Sequence, residues 1–165
     1  MGFIQSFERA SRRWAFRGFR GFFGLFFLLA GLGHAFAFPV TVDGARIITE
    51  YFSLPEVASQ VLAIAAIVCL IFGGLSLLLG FRVRTGALSI LLFLIPATLL
   101  HILVMQFAVN NALILKADSN EKAQQIIRTL ANIAIQGHQG NLMKNIVLMM
   151  TALFFMAVPK LKVEE

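Results

Sequence analysis

The sequence predicts an all-α integral membrane protein, an antiparallel four-helix bundle. Composition is the first reason, since the 165-residue chain is 59% hydrophobic and only 13% charged, unlike a soluble domain. Segment length is the second, because a bilayer core of about 30 Å needs about twenty apolar residues per helix, and four segments reach or approach that length. We therefore expect a single membrane domain over residues 1–165.

The predicted spans are joined by links of very different lengths. The four predicted spans cover residues 22–38, 57–80, 86–109 and 142–158. The second link, Phe81 to Thr85, is so short that it can only join antiparallel neighbours. The first link, Pro39 to Glu56, holds three carboxylates against the single Arg46, and we assign no helix to it.

Two further segments are amphipathic. Residues 1–20 predict an N-terminal helix at the membrane interface, because apolar side chains form one stripe: Phe3, Phe7, Ala10 and Trp14. Residues 119–136 predict a surface helix between spans three and four, with Ser119 as its N-cap and Gly137 as its stop. Its apolar residues recur at helical spacing: Ala123, Ile126, Ile127, Leu130 and Ala134.

The basic residues predict orientation and a lipid partner. Lysines and arginines cluster before the first span, in the Arg82/Arg84 turn and in the Lys160/Lys162 tail, which places both termini in the cytoplasm. The net charge of +6 therefore indicates contact with lipid headgroups, and we expect no nucleic-acid partner. The first span also has the features of a cleavable signal peptide, but we expect it to be retained. The predicted location is a bacterial inner membrane.

Polar residues on three spans reach one level in the outer half of the predicted bundle. Counting about 1.5 Å per residue along each helix from its basic, cytoplasmic end puts His34 about 21 Å from that end, His101 about 25 Å and Lys144 about 24 Å. Ionisable groups at such depth often mark a site. The candidate site residues are His34, His101, Lys144, Asn145 and Gln60, with His138 in the link just above.

These polar residues are also compatible with a purely structural role. Each could bond a neighbouring helix, and Lys144 could extend to the headgroups. A haem b held axially by His34 and His101 is disfavoured, because no second histidine pair lies in the spans. A metal site is disfavoured too, because no carboxylate lies within a span to join them. The chain has no self-sufficient catalytic motif, so whether it is an enzyme stays open.

Four stretches resemble the DoxX family of small four-span membrane proteins, which includes the small subunit of thiosulfate:quinone oxidoreductase. They are "GLGHAF" in the first span, "GGLSLLLGFRVRTGAL" from Gly73, "PATLLHIL" from Pro96, and "KNIVLMM" from Lys144. The resemblance equates His101 with the family's histidine near the outer end of the third helix. It equates Lys144 and Asn145 with the Lys-Asn pair that opens the fourth. His34 differs, since relatives often have a lysine there.

The resemblance implies a membrane subunit beside a quinone-linked oxidoreductase, with the polar layer receiving a quinone or another small substrate. His101 and His34 would then hydrogen-bond a quinone carbonyl, and Lys144 would stabilise negative charge on the bound oxygen. A protein partner is expected in this case. The alternative is a non-catalytic scaffold or accessory subunit of a larger membrane complex, in which the polar layer serves packing alone.

Overall fold

Helices make up almost all of the described chain. The computed structural model describes residues 2–117 and 121–157, with the side chains at positions 2–10, 12, 112–117 and 122 outside that description. The helices are α1 (Gly2–Phe36), α2 (Phe38–Tyr51), α3 (Val57–Leu79), α4 (Val83–Ala117) and α5 (Glu121–Ala157). All except α2 contain a segment long and apolar enough to cross a membrane. The predicted all-α membrane bundle is confirmed.

The two amphipathic segments are not separate helices. Residues 2–20 continue without a break into the first span as α1, and residues 121–136 continue into the fourth as α5. The predicted stop at Gly137 is therefore wrong. A helical glycine costs only about 1 kcal/mol relative to alanine, which packing along a helix of 37 residues offsets. The predicted cap Ser119 lies outside the described residues, and the position of both segments at a membrane surface stays a prediction.

The first link contains α2, a helix that the sequence analysis did not assign. Pro39 stands in its first turn, where a missing N–H removes no helical hydrogen bond. Ala37 separates α2 from α1 with φ −99° and ψ 41°. The buried face of α2 has helical spacing: Val42, Ala45, Ile48 and Thr49. On its exposed face Arg46 contacts Asp43 at 3.2 Å and Glu56 at 3.6 Å.

Glycines set the distance between α1 and α3. A Cβ atom added at Gly24 would lie 2.7 Å from the carbonyl oxygen of Gly74 and would also meet the backbone nitrogen of Leu78. An added Cβ at Gly74 meets the α1 backbone in the same way. In lipid there is no hydrophobic driving force between helices, so such close backbone packing is a main source of helix association. These two helices therefore pack against each other through glycines.

The core lies where α1, α3, α4 and α5 meet. Its buried side chains are Phe23, Phe27, Leu70, Leu77, Ala87, Ile90, Leu94, Ala152 and Phe155. Phe155 of α5 packs against α1, with ring centroids 5.8 Å from Phe16, 5.5 Å from Phe19 and 5.4 Å from Phe23. The four long helices therefore close into a ring around one apolar centre.

The two ends of the bundle differ in chemistry. At the arginine end, defined by Arg20, Arg82 and Arg84, α3 stops at Gly80 with a left-handed φ of 73° and a short turn leads into α4. An added Cβ at Gly80 would meet the Arg20 guanidinium, so α1 closes directly over this turn. The opposite end carries α2 and the polar residues and is called the cavity end below. There α4 and α5 continue beyond the other helices as a helical hairpin.

Candidate ligand cavity

A cavity of about 590 Å³ lies between α2 and the four long helices at the cavity end. Its apolar walls come from every helix and include Phe27, Leu62, Phe93, Leu100 and Leu148. Phe26 and Val40 also line it, and they are 43% and 70% exposed on the outer surface. The cavity is therefore reachable from the side of the bundle, between α1 and α2.

Small side chains leave the room for this cavity. Ala30, Gly33, Gly44, Ala63, Ala66 and Ala97 all line it. A Cβ added at Gly33 would meet no atom within 4 Å, and one at Gly44 would meet only Leu100 at 3.5 Å. Larger residues here would fill the space, as the core residues do one or two turns nearer the arginine end.

Polar groups gather on the α4 and α5 side of the cavity. His101 of α4 and His138 of α5 are hydrogen-bonded through their Nδ1 atoms at 2.9 Å, with ring centroids 5.1 Å apart. One turn further along α5, Lys144 Nζ donates to Asn141 Oδ1 at 2.9 Å. His101, Asn141 and Lys144 line the cavity, whereas His138 does not.

Asn145 has the most unusual environment in the cavity wall. Its side chain is only 4% exposed, and its Nδ2 has no hydrogen-bond partner among the described residues. A buried donor left without an acceptor costs about 1–3 kcal/mol. Asn145 is also one of the residues that line the cavity, so its amide is a candidate donor to a ligand that carries an acceptor.

His34 lines the cavity from α1, on the side of α2. Its Nδ1 lies 3.1 Å from the hydroxyl of Thr41, and the same hydroxyl donates to the carbonyl of His34 at 3.1 Å. The His34 ring also lies 6.1 Å from that of Phe93, between centroids. These contacts hold the end of α1 to α2 through Nδ1 and the carbonyl oxygen of His34. The second ring nitrogen, Nε2, takes no part in them.

Four of the five predicted site residues thus line one cavity: His34, His101, Lys144 and Asn145. Gln60 does not line it and is exposed on α3. Its depth matches the others, but the buried face of α3 at this level is formed by Ser59 and Ala63. His138 was the group that depth counting left outside the site, because the predicted stop at Gly137 put it in a link.

Four helices long and apolar enough to cross a membrane, packed around a cavity with clustered polar groups, define a multi-pass membrane protein. The DoxX family model matches residues 17–103, just over half of the chain, and the chain belongs to the DoxX family. The match includes His34 and His101 and ends before α5. Comparison with curated proteins and with solved structures gave no match.

The cavity combines groups suited to hold an oxygen-bearing ligand inside an apolar enclosure. Asn145 offers a donor, Lys144 a cation, and His101 a second ring nitrogen, Nε2, that can donate or accept. In such a low-dielectric site, preorganised donors act strongly on charge that develops on a bound oxygen. The arrangement can therefore bind a carbonyl group and exchange a proton with it.

Proposed function

We propose that this DoxX-family chain is a membrane subunit that accompanies a quinone-linked oxidoreductase, and that its cavity receives the quinone headgroup. The observation that carries the proposal is the buried amide of Asn145 in the cavity wall, whose Nδ2 has no hydrogen-bond partner in the part of the chain that the structure describes. A quinone carries carbonyl oxygens on an apolar ring. These oxygens would supply the hydrogen-bond acceptor that the Asn145 amide lacks among the described residues.

The dimensions of the cavity favour this ligand class. A volume of about 590 Å³ falls in the range of small-molecule sites, which is about 300–1,000 Å³. Its walls are largely apolar, and the lateral opening beside Phe26 and Val40 suits a ligand that arrives from the lipid. The proposed orientation has the arginine end in the cytoplasm of a bacterial inner membrane, so that the cavity faces the outer leaflet.

Each polar side chain has a separate role in the proposal. Asn145 donates from Nδ2 to one carbonyl oxygen, and Lys144 stabilises negative charge on that oxygen. His101 offers Nε2 to the second polar group of the ring or to its proton. When bound, the quinone would supply a carrier of electrons and protons, and a partner protein would hold the other redox centre.

Photoaffinity labelling with a short-chain azidobenzoquinone in lipid nanodiscs tests the proposal. Labelled peptides from α4 or α5 at the cavity end are expected, and competition with the unmodified quinone gives the affinity. Asn145→Leu removes a hydrogen bond from a buried donor, so binding should weaken about tenfold to a hundredfold. Asn132→Leu is the matched control, because Asn132 is exposed on the same helix. Equal affinity of both variants would refute the assignment.

A second function, that of a scaffold in a larger membrane complex, is favoured by one surface. Three large apolar side chains are exposed along one face of α5 in the hairpin: Ile126 at 54%, Leu130 at 61% and Ile133 at 62%. Changing all three to serine should release any bound protein partner. If the partner is lost while azidoquinone labelling never occurs in the unmodified protein, the scaffold function replaces the quinone function.

A further inference from the structure

We propose that His138 is the outer half of a proton relay that links the cavity with the aqueous phase at the cavity end. The relay itself is argued from the geometry of two imidazoles. That its proton comes from or goes to a quinone rests on the function proposed above.

The hydrogen bond between the two rings fixes where their protons can be. The Nδ1 atoms of His101 and His138 lie 2.9 Å apart, so one of them donates and the other accepts. In a neutral pair the accepting ring must then carry its own proton on Nε2. The pair therefore has one shared proton at its centre, one Nε2 that can accept and one Nε2 that can donate.

This arrangement passes a proton without leaving charge behind. When His101 holds the shared proton, its Nε2 accepts a proton from a hydroxyl of the ligand. The Nδ1 proton of His101 moves to Nδ1 of His138, and the Nε2 proton of His138 leaves to water. One proton enters and one leaves, and both rings end neutral with their tautomers exchanged. The reverse sequence delivers a proton to the cavity.

Only one of the two histidines lines the cavity. His101 lines the cavity from α4, whereas the half-buried His138 lies on α5 and does not line it. His138 is flanked by Gly137 and Gly140, and a Cβ added at either would meet no atom within 4 Å. His101 also lies about 25 Å from the arginine end, near the far boundary of a bilayer core of about 30 Å. In the proposed orientation, His138 would then lie next to the water beyond that boundary.

A purely structural role for the pair would be to fasten α4 to α5. The variant His138→Asn separates fastening from relay, because the asparagine amide can take the place of the imidazole Nδ1 in a hydrogen bond to His101. The amide cannot accept a proton on one nitrogen and release another. A fastening role should therefore survive this substitution, and a relay should not.

The experiment is measurement of imidazole proton exchange with water by NMR, on ¹⁵N-histidine-labelled protein in nanodiscs without quinone. Only three histidines contribute signals, so each variant assigns one. We expect the exchange rate of the His101 ring proton to fall about tenfold or more in His138→Asn, the scale of a lost acid–base group. Asn132→Leu is the control and should leave that rate unchanged, because Asn132 is exposed on α5 and does not line the cavity. An unchanged His101 rate in His138→Asn would overturn the relay.

Two further readouts keep this test independent of folding and of the quinone. The unmodified protein should show ¹⁵N–¹⁵N coupling between the two Nδ1 atoms across the hydrogen bond, and its absence would overturn the relay without any variant. Azidoquinone labelling of the same samples reports on the ligand. Slowed exchange without labelling would support the relay and remove the quinone function, whereas Asn145-dependent labelling with unchanged exchange would remove the relay alone.

Discussion

Replacing Gly24 with alanine should separate α1 from α3. The added Cβ would lie 2.7 Å from the carbonyl oxygen of Gly74, whereas ordinary contact begins near 3.4 Å. Both neighbouring atoms belong to the backbone of α3, so no side chain can turn away to make room. The two helices must part by about 0.7 Å or more at this point. The adjacent α3 backbone nitrogen, which is that of Leu78, prevents a sideways slide.

The loss of stability in Gly24→Ala follows from the contacts between α1 and α3 that this separation weakens. A radial gap of about 0.5–1 Å forfeits a quarter to a half of the dispersion energy of each atom pair across it. Overpacking of this kind costs about 1–3 kcal/mol, and we place Gly24→Ala at about 3 kcal/mol because both obstructing atoms are backbone. Gly74→Ala should cost the same. The double variant should cost about 1–2 kcal/mol less than the sum, because one separation accommodates both methyl groups.

The assay is the free energy of unfolding in bicelles, measured by steric trapping. Gly21→Ala is the matched control, because it lies on the same helix and an added Cβ there would meet no atom within 4 Å. If Gly24→Ala proves as stable as Gly21→Ala, the close approach of α1 and α3 is refuted. If the two single costs add fully in the double variant, the two glycines do not share one contact.

Three further predictions use the same assay or hydrogen exchange. Gly137→Ala should raise the free energy of unfolding by about 1 kcal/mol, because α5 is continuous there; a loss would indicate a helix end. Asn145→Leu should stabilise the ligand-free protein by about 1–2 kcal/mol, since it removes a buried donor that has no partner among the described side chains and backbone; destabilisation would reveal a partner for Nδ2. Thr41→Val removes the hydroxyl between His34 and α2, so amide exchange in α2 should quicken about fivefold, for a loss of about 1 kcal/mol. Thr129→Val, whose hydroxyl bonds only within its own helix, should not change it.

The spans were predictable because a membrane imposes a length on apolar helices. Each of the four predicted spans overlaps one of the long helices over most of its length, since each is a run of apolar residues that no soluble helix of that length needs. The helix α2 was not predicted, because Pro39 and the nearby carboxylates suggest a loop. Its buried residues Val42, Ala45 and Ile48 nevertheless recur every three residues, which is the signal that could have revealed it.

The depth of the residues that line the cavity was predictable, but the rotation of each helix about its axis was not. Counting residues from the helix ends placed His34, His101, Lys144 and Asn145 at one level, and all four line the cavity. The same count included Gln60, which is exposed, because depth says nothing about which face of a helix points inward. The inward face depends on packing against neighbouring helices. On α3 that face is formed by small residues, and one sequence alone does not distinguish it from the other faces of the helix.

His138 was missed for a different reason. A glycine beside it suggested the end of a helix, so the residue was assigned to a link above the bundle. Tertiary packing along α4 instead carries α5 through Gly137 and brings His138 to within 2.9 Å of His101, nitrogen to nitrogen. Weak local signals are overridden in this way wherever a long partner helix supplies the contacts.

The family match ends at residue 103, so it covers only part of the cavity wall. The match covers most of α1, all of α2 and α3 and the first part of α4, while α5, which lies beyond it, supplies Asn145, Lys144 and the partner of His101. A change confined to α5 would therefore alter the polar wall of the cavity and leave the glycine contacts between α1 and α3 in place. Chimeras that exchange α5 between members of the family would show whether the ligand preference proposed above follows that helix.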